Sequence, residues 1–176
     1  MRSLRCALLL CSAVSISTMF GVADRVVQGH SAAGWYLANV AGVWLAVAFA
    51  FGAVACSRHE AWLAGLFAEM SALAGYYGWM RLAQHQWQPL DHPLFWSSCG
   101  LIAGPVFGLV GYVWRRHRSE IAGATLGVAF VFEAVALALA QQRPRGVVEL
   151  ETVAGVTLAL LLLAGARWRK RHPPTA

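Results

Sequence analysis

The chain has 176 residues, of which 59% are apolar and 12% charged. A soluble domain of this size has too little interior to hide so much apolar surface, and typically carries about 25% charged residues. The net charge of +6 does not indicate a nucleic-acid binder, because the basic residues are spread among short loops between apolar stretches.

Six such stretches occur, at about 6–23, 35–56, 61–80, 94–114, 119–140 and 150–166. Each approaches the roughly 20 residues that a helix needs to cross about 30 Å of hydrocarbon. The expected fold is therefore all-α: a single polytopic membrane domain, a compact bundle of six transmembrane helices, ending in a basic tail over residues 167–176. With the N-terminus placed in the cytoplasm, the inner segments hold Arg2, Arg5, Arg58, Arg115, Arg116, Arg118, Arg167, Arg169, Lys170 and Arg171. The outer segments hold Arg25, Arg81, Arg143 and Arg145. This asymmetry follows the positive-inside rule, with both termini expected in the cytoplasm. The single Lys170 beside 13 Arg, with abundant Ala and Gly, points to a GC-rich bacterial genome and so to a bacterial plasma membrane. Trp62, Trp114 and Trp168 fall at the inner boundary and Trp35, Trp79, Trp87 and Trp96 at or beyond the outer one, as interfacial anchors do.

The first span follows a short basic start and resembles a signal peptide in outline. Ser12, Ser15, Ser17 and Thr18 give it a polar stripe better suited to a retained helix packed in a bundle; a cleaved leader is the alternative. The hairpin joining spans two and three resembles the one joining spans four and five. Each has a late glycine, an Arg-His pair in the turn and a glutamate (Glu60, Glu120) opening the return helix, where the dipole favours it. Span four carries Gly100, Gly104 and Gly108, spaced so that one helix face is smooth enough for another backbone to approach. Pro105 is expected to kink it.

Glu69 and Glu133 are the acids inside the spans. At 1.5 Å per residue they lie about 13 and 20 Å from the inner turns, near the midplane. A carboxylate at that depth faces the bundle interior, a wet cavity or a partner. With no basic residue at matching depth, hydroxyls such as those of Ser15, Ser71, Tyr76 or Thr125 are the expected partners. Glu69 and Tyr76 share a helix face. If the faces of Glu69 and Glu133 converge, they form a polar site, with Tyr76 as supporting donor, for a cation, a proton or an amine-bearing solute. Asp24, Trp35, Asn39 and Tyr77 form a candidate outer mouth, aromatics with a few polar groups. His85, Asp91 and His92 have only a nonspecific metal-ligand spacing, and no metal is assigned to them. Cys6, Cys11, Cys56 and Cys99 form no Cys-x-x-Cys pair and read as inert thiols. No catalytic signature, cofactor fingerprint or phosphate-binding loop is present, so no catalytic residue or cofactor is assigned and the chain is not expected to be an enzyme.

Phe20-Gly21 with Asp24, the segment Trp35 to Asn39, Gly52, Ala74-Gly75-Tyr76-Tyr77 and Gly104-Pro105-Val106-Phe107-Gly108-Leu109-Val110-Gly111 together resemble a family of small multi-pass membrane proteins of high-GC Gram-positive bacteria, known as a domain of unknown function. The resemblance spans roughly residues 15–140, implies an integral membrane protein and brings no activity with it. A looser similarity, in size and span count, is to the substrate-binding membrane subunits of energy-coupling-factor vitamin transporters, although the first span lacks their Ala-x-x-x-Ala pattern. Two functions follow as expectations. One is a small-solute binding or transport component whose partners are the lipid bilayer and a small-molecule or cation ligand. The other is a non-catalytic scaffold that meets a membrane-protein partner through the Gly100/Gly104/Gly108 face.

Overall fold

The computed structural model describes residues 2–30, 35–36, 40–140 and 144–172. Among them are six long helices: α1 (Arg2–Gln28), α2 (Ala41–Val54), α3 (Arg58–Leu82), α4 (Asp91–Arg116), α5 (Glu120–Leu139) and α6 (Arg145–Arg171). The expected all-α architecture is present. Four helices, α1, α4, α5 and α6, are long and apolar enough to cross a membrane.

Helix ends depart from the expected spans for physical reasons. α1 and α6 extend beyond 6–23 and 150–166, because backbone hydrogen bonding continues into polar flanking residues that hydropathy excludes. α2 is a 14-residue helix, about 21 Å long, rather than the continuous 35–56 stretch. Its C-terminal end is cut by the cap of the next helix. Ser57 is extended at the start of α3, its Oγ accepts from the Glu60 N–H at 3.2 Å, and the Glu60 carboxylate accepts from the Cys56 N–H at 2.9 Å. With Ser57 extended as the cap and the Glu60 carboxylate holding the N–H of the residue before it, α2 cannot run on. Replacing Ser57 with Ala should lower stability by about 1 kcal/mol, read as a drop in thermal midpoint of the detergent-solubilised protein.

The second hairpin is built differently. Ser119 also caps its helix, accepting from the Ala122 N–H, but Glu120 instead pairs with Arg167 at 2.8 Å and Lys170 at 2.9 Å. Arg58 and His59 belong to the first turn of α3, whereas His117 and Arg118 lie in the connection between α4 and α5. The resemblance between the hairpins therefore stops at the serine caps.

α3 lies between α1 and α4, and α2 packs across α4 and α3 and reaches α5. α6 packs chiefly on α5. Small residues make up most of the interior. Ala13, Ala48, Ala61, Ala64, Ala68, Ala72, Ala134 and Ala166 are buried, while Leu8, Met19, Ile102, Ile121, Phe132, Leu139 and Leu160 point outward. Small side chains inside and large apolar ones outside invert the pattern of a water-soluble core, and suit a bundle whose outer solvent is lipid.

The glycine face of α4 is used within the chain. A Cβ at Gly104 would meet the Gly65 carbonyl of α3 and the stem of Glu69. One at Gly108 would run into the Ala61 carbonyl, and one at Gly52 of α2 would fall on the backbone of Gly108. Three backbones thus meet at Gly108, and α4 passes through Pro105 as one continuous helix. On its other side α4 holds α6 through Trp114, whose Nε1 donates to the Leu162 carbonyl at 2.9 Å. Around Trp114, the residues Phe49, Leu126 and Phe130 form the bulkiest apolar cluster. In α1, Ser17 is buried and Thr18 is partly so, whereas Ser12 and Ser15 are exposed. The polar stripe is narrower than its sequence spacing implied, because one helix face is about a third of the circumference.

Candidate functional site

Glu133 projects from α5 toward the start of α2. Its two carboxylate oxygens accept from the Ala41 N–H at 2.8 Å and the Gly42 N–H at 2.9 Å. These are orphan donors of a helix N-terminus, and a carboxylate there satisfies both the hydrogen bonds and the positive end of the dipole. Glu133 lies 13 residues into α5, and α2 is 14 residues long, so both reach about 20 Å from the turns that join α2 to α3 and α4 to α5. The acid therefore holds the end of a helix that begins at its own height. Replacing Glu133 with Ala should cost about 1–3 kcal/mol by leaving those N–H groups unpaired, measured as a lower thermal midpoint. Glu133→Gln, which keeps one acceptor oxygen, should cost less.

Glu69 has a different environment. It is 5% exposed, on the face of α3 that packs against Gly100 and Gly104 of α4, and it is among the residues lining a cavity of about 290 Å³. Among the described residues, no hydrogen-bond or ion-pair partner reaches it. Trp44 and Leu45 of α2, Leu73, Tyr76 and Tyr77 of α3, and His92, Trp96 and Cys99 of α4 surround it. The rings are ordered by edge-to-face contacts: Phe20 with Trp44, Trp44 with Tyr76, and Tyr76 with Tyr77 at 5.0 Å.

The hydroxyls are held by groups at the rim. Tyr76 Oη donates to Gln28 Oε1 at 2.7 Å, and Arg25 Nη1 donates to the same oxygen at 3.0 Å. Arg25 also donates to Gln84 at 2.8 Å and to Gln86. This arginine is met by amide oxygens, which fix its position without neutralising it. The indole N–H of Trp96 donates to His92 Nε2 at 3.3 Å, and Tyr77 Oη lies 3.1 Å from His92 Nδ1. Since an indole can only donate, a neutral His92 carries its proton on Nδ1 and gives it to the Tyr77 oxygen. The Tyr77 hydroxyl proton is then available to the cavity.

Glu69, Tyr76 and Tyr77 thus line one cavity, and Glu133 stands apart at the start of α2. The expected hydroxyl partners are engaged elsewhere: Tyr76 with Gln28, and Thr125 with the Ile121 carbonyl at 2.9 Å. Asp24 sits behind the rim, where its Oδ2 accepts from Gln28 Nε2 at 3.5 Å. Trp35 is half-exposed against Tyr36, and Asn39 lies outside the described residues. His92 takes part in the aromatic wall; among the described residues no three His, Cys, Asp or Glu side chains are grouped so as to hold a metal ion. Gln28 and His92 belong to the outer-loop segments that the sequence marks as polar and aromatic, whereas Trp44 and Trp96 are not marked by it as site residues. Trp44 carried a usable signal, being the one tryptophan well inside a span.

Residues 2–176 match a family of unknown function, DUF6518. The chain belongs to that family. The match runs well beyond the stretch 15–140 on which the resemblance was read, and it carries no activity. No curated protein and no solved structure matches the chain.

Proposed function

We propose that this DUF6518 protein is a non-enzymatic integral membrane protein of a bacterial plasma membrane, crossing it six times with both termini cytoplasmic, that binds a small organic cation from the outer side as a solute-binding or transport component. The observation that carries the reading is the Glu69 carboxyl, buried at the floor of an aromatic cavity with no partner among the described residues. An acid within a membrane bundle marks a functional site by default, and a lone one calls for a cation. Trp44, Tyr76, Tyr77 and Trp96 offer ring faces and edges around it, and a cation over such rings gains about 0.5–2 kcal/mol per ring. A compact amine or quaternary ammonium combines the charge Glu69 lacks with the apolar surface that the rings favour.

The two helices that fall short of the length or composition for a lone span, α2 and α3, are interior ones. α3 is flanked by α1, α2 and α4, so it can carry Glu69 without showing it to lipid. α2 can begin inside the membrane because Glu133 satisfies its first N–H groups; irregular backbone at that depth is tolerated only where protein covers it. The scaffold reading gains less support, since the Gly104 and Gly108 positions are already covered by α3 and α2 of the same chain. Titration calorimetry of the detergent-purified protein with a graded series of primary to quaternary amines tests the proposal. Saturable binding that weakens in Trp44→Ala is expected, and uniform absence of heat across the series overturns it.

A further inference from the structure

The opposite end of the bundle holds a second and larger cavity, of about 850 Å³. Arg5 of α1, Arg115 and Arg116 of α4, Arg118 of the following turn and Arg169 of α6 line it. Three separate stretches of chain therefore bring five arginines to one hollow. The acid among its lining residues is Glu60, one of whose carboxylate oxygens accepts from the Cys56 N–H at the start of α3. Glu120, close by in sequence, is taken by Arg167 and Lys170 on another face of α6. Five arginines against one carboxylate leave the hollow with a large excess of positive charge.

Arg169 shows the consequence most directly. Its guanidinium lies 3.9 Å over the Trp114 ring, which fixes its plane. Its Nε and Nη2 are shut off from solvent and have no hydrogen-bond partner, while Arg115 and Arg118 are near enough to repel it electrostatically. Arg115 is anchored by donation to the Ala53 carbonyl at 3.2 Å, which leaves its other N–H groups free for a ligand. Ordinary basic residues at an inner membrane boundary splay toward water and lipid; these converge on a shared volume. Forked, planar donors held at fixed angles suit the oxygens of a phosphate group, each charge-assisted bond being short and directional.

The geometry points to a binding site for a multiply charged phosphate-bearing anion in this inner cavity, with room for the phosphate and part of the molecule that carries it. The phosphate can arrive on a lipid headgroup or on a soluble compound, and two arms separate these sources. In detergent, magnesium-free and at fixed ionic strength, pyrophosphate is titrated while the thermal midpoint is followed. In nanodiscs, phosphatidylcholine alone is compared with phosphatidylcholine containing phosphatidic acid. A rise of about 5 °C at saturation is expected in at least one arm: pyrophosphate acting in detergent identifies a soluble ligand, and phosphatidic acid acting alone identifies a lipid. Arg169→Gln should remove most of the rise. Arg116→Gln, at an exposed position of the same wall, should reduce it while leaving the fold intact. Arg167→Gln, outside the cavity, should leave it unchanged. Absence of a rise in both arms overturns the site, as does an equal loss in Arg167→Gln, which would mean general attraction to a basic surface.

Discussion

Glu69→Gln should abolish high-affinity binding of an organic cation and leave the unliganded protein as stable as before, or slightly more so. The two halves of the result have one cause. Removing one partner of a buried charge pair costs about 2–5 kcal/mol, which weakens binding by about 30-fold or more. In the unliganded protein the same carboxyl has no partner among the described residues, so a neutral amide removes a desolvated acid and breaks no bond. A structural acid behaves oppositely: Glu133, which holds two backbone N–H groups, should lose stability when neutralised. Measuring cation affinity and thermal midpoint for both variants separates the roles. If Glu69→Gln lowers the midpoint and leaves affinity intact, the acid is a structural group and the binding proposal fails.

The second large effect is expected at Gly108. A Leu there must displace the Ala61 carbonyl and Gly65 of α3, with Gly52 of α2 pressed against the same point. Backbone cannot yield as a flexible side chain can, so the cost should exceed the usual 1–3 kcal/mol of overpacking. A fall in thermal midpoint of about 10 °C, with loss of the monodisperse peak in size-exclusion chromatography, is the expected result. Gly78→Leu is the matched control, because a Cβ at Gly78 meets nothing within 4 Å. Equal behaviour of the two variants would show that the Gly108 crossing is looser than its geometry implies.

Residues near one another in sequence made much of this legible. The Gly100/Gly104/Gly108 spacing points to a close crossing; Gly104 and Gly108 lie against the α3 backbone, whereas Gly100 meets the Met70 and Leu73 side chains. Glu69 and Tyr76, seven positions apart, were read as one helix face and do line one cavity. Tyr77 joins them there through its neighbour on α4, His92. What the spacing could not supply was the partner across the bundle. Gln28 reaches Tyr76 from 48 positions away, and Ala41 finds Glu133 from 92. A helix period states which residues share a face and is silent on which helix that face meets.

Composition and pattern alone determined the all-helical character, the preference for a lipid-like surround and the crowding of basic residues toward one end, because these depend on the solvation of each segment separately. Only the tertiary structure divided the labour between two glutamates of similar depth. One is matched to the N–H groups of a helix that starts beside it, the other opens onto rings drawn from α2, α3 and α4. A carboxyl's role is decided by the donors and charges within a few ångströms, and in this bundle they arrive from distant parts of the chain.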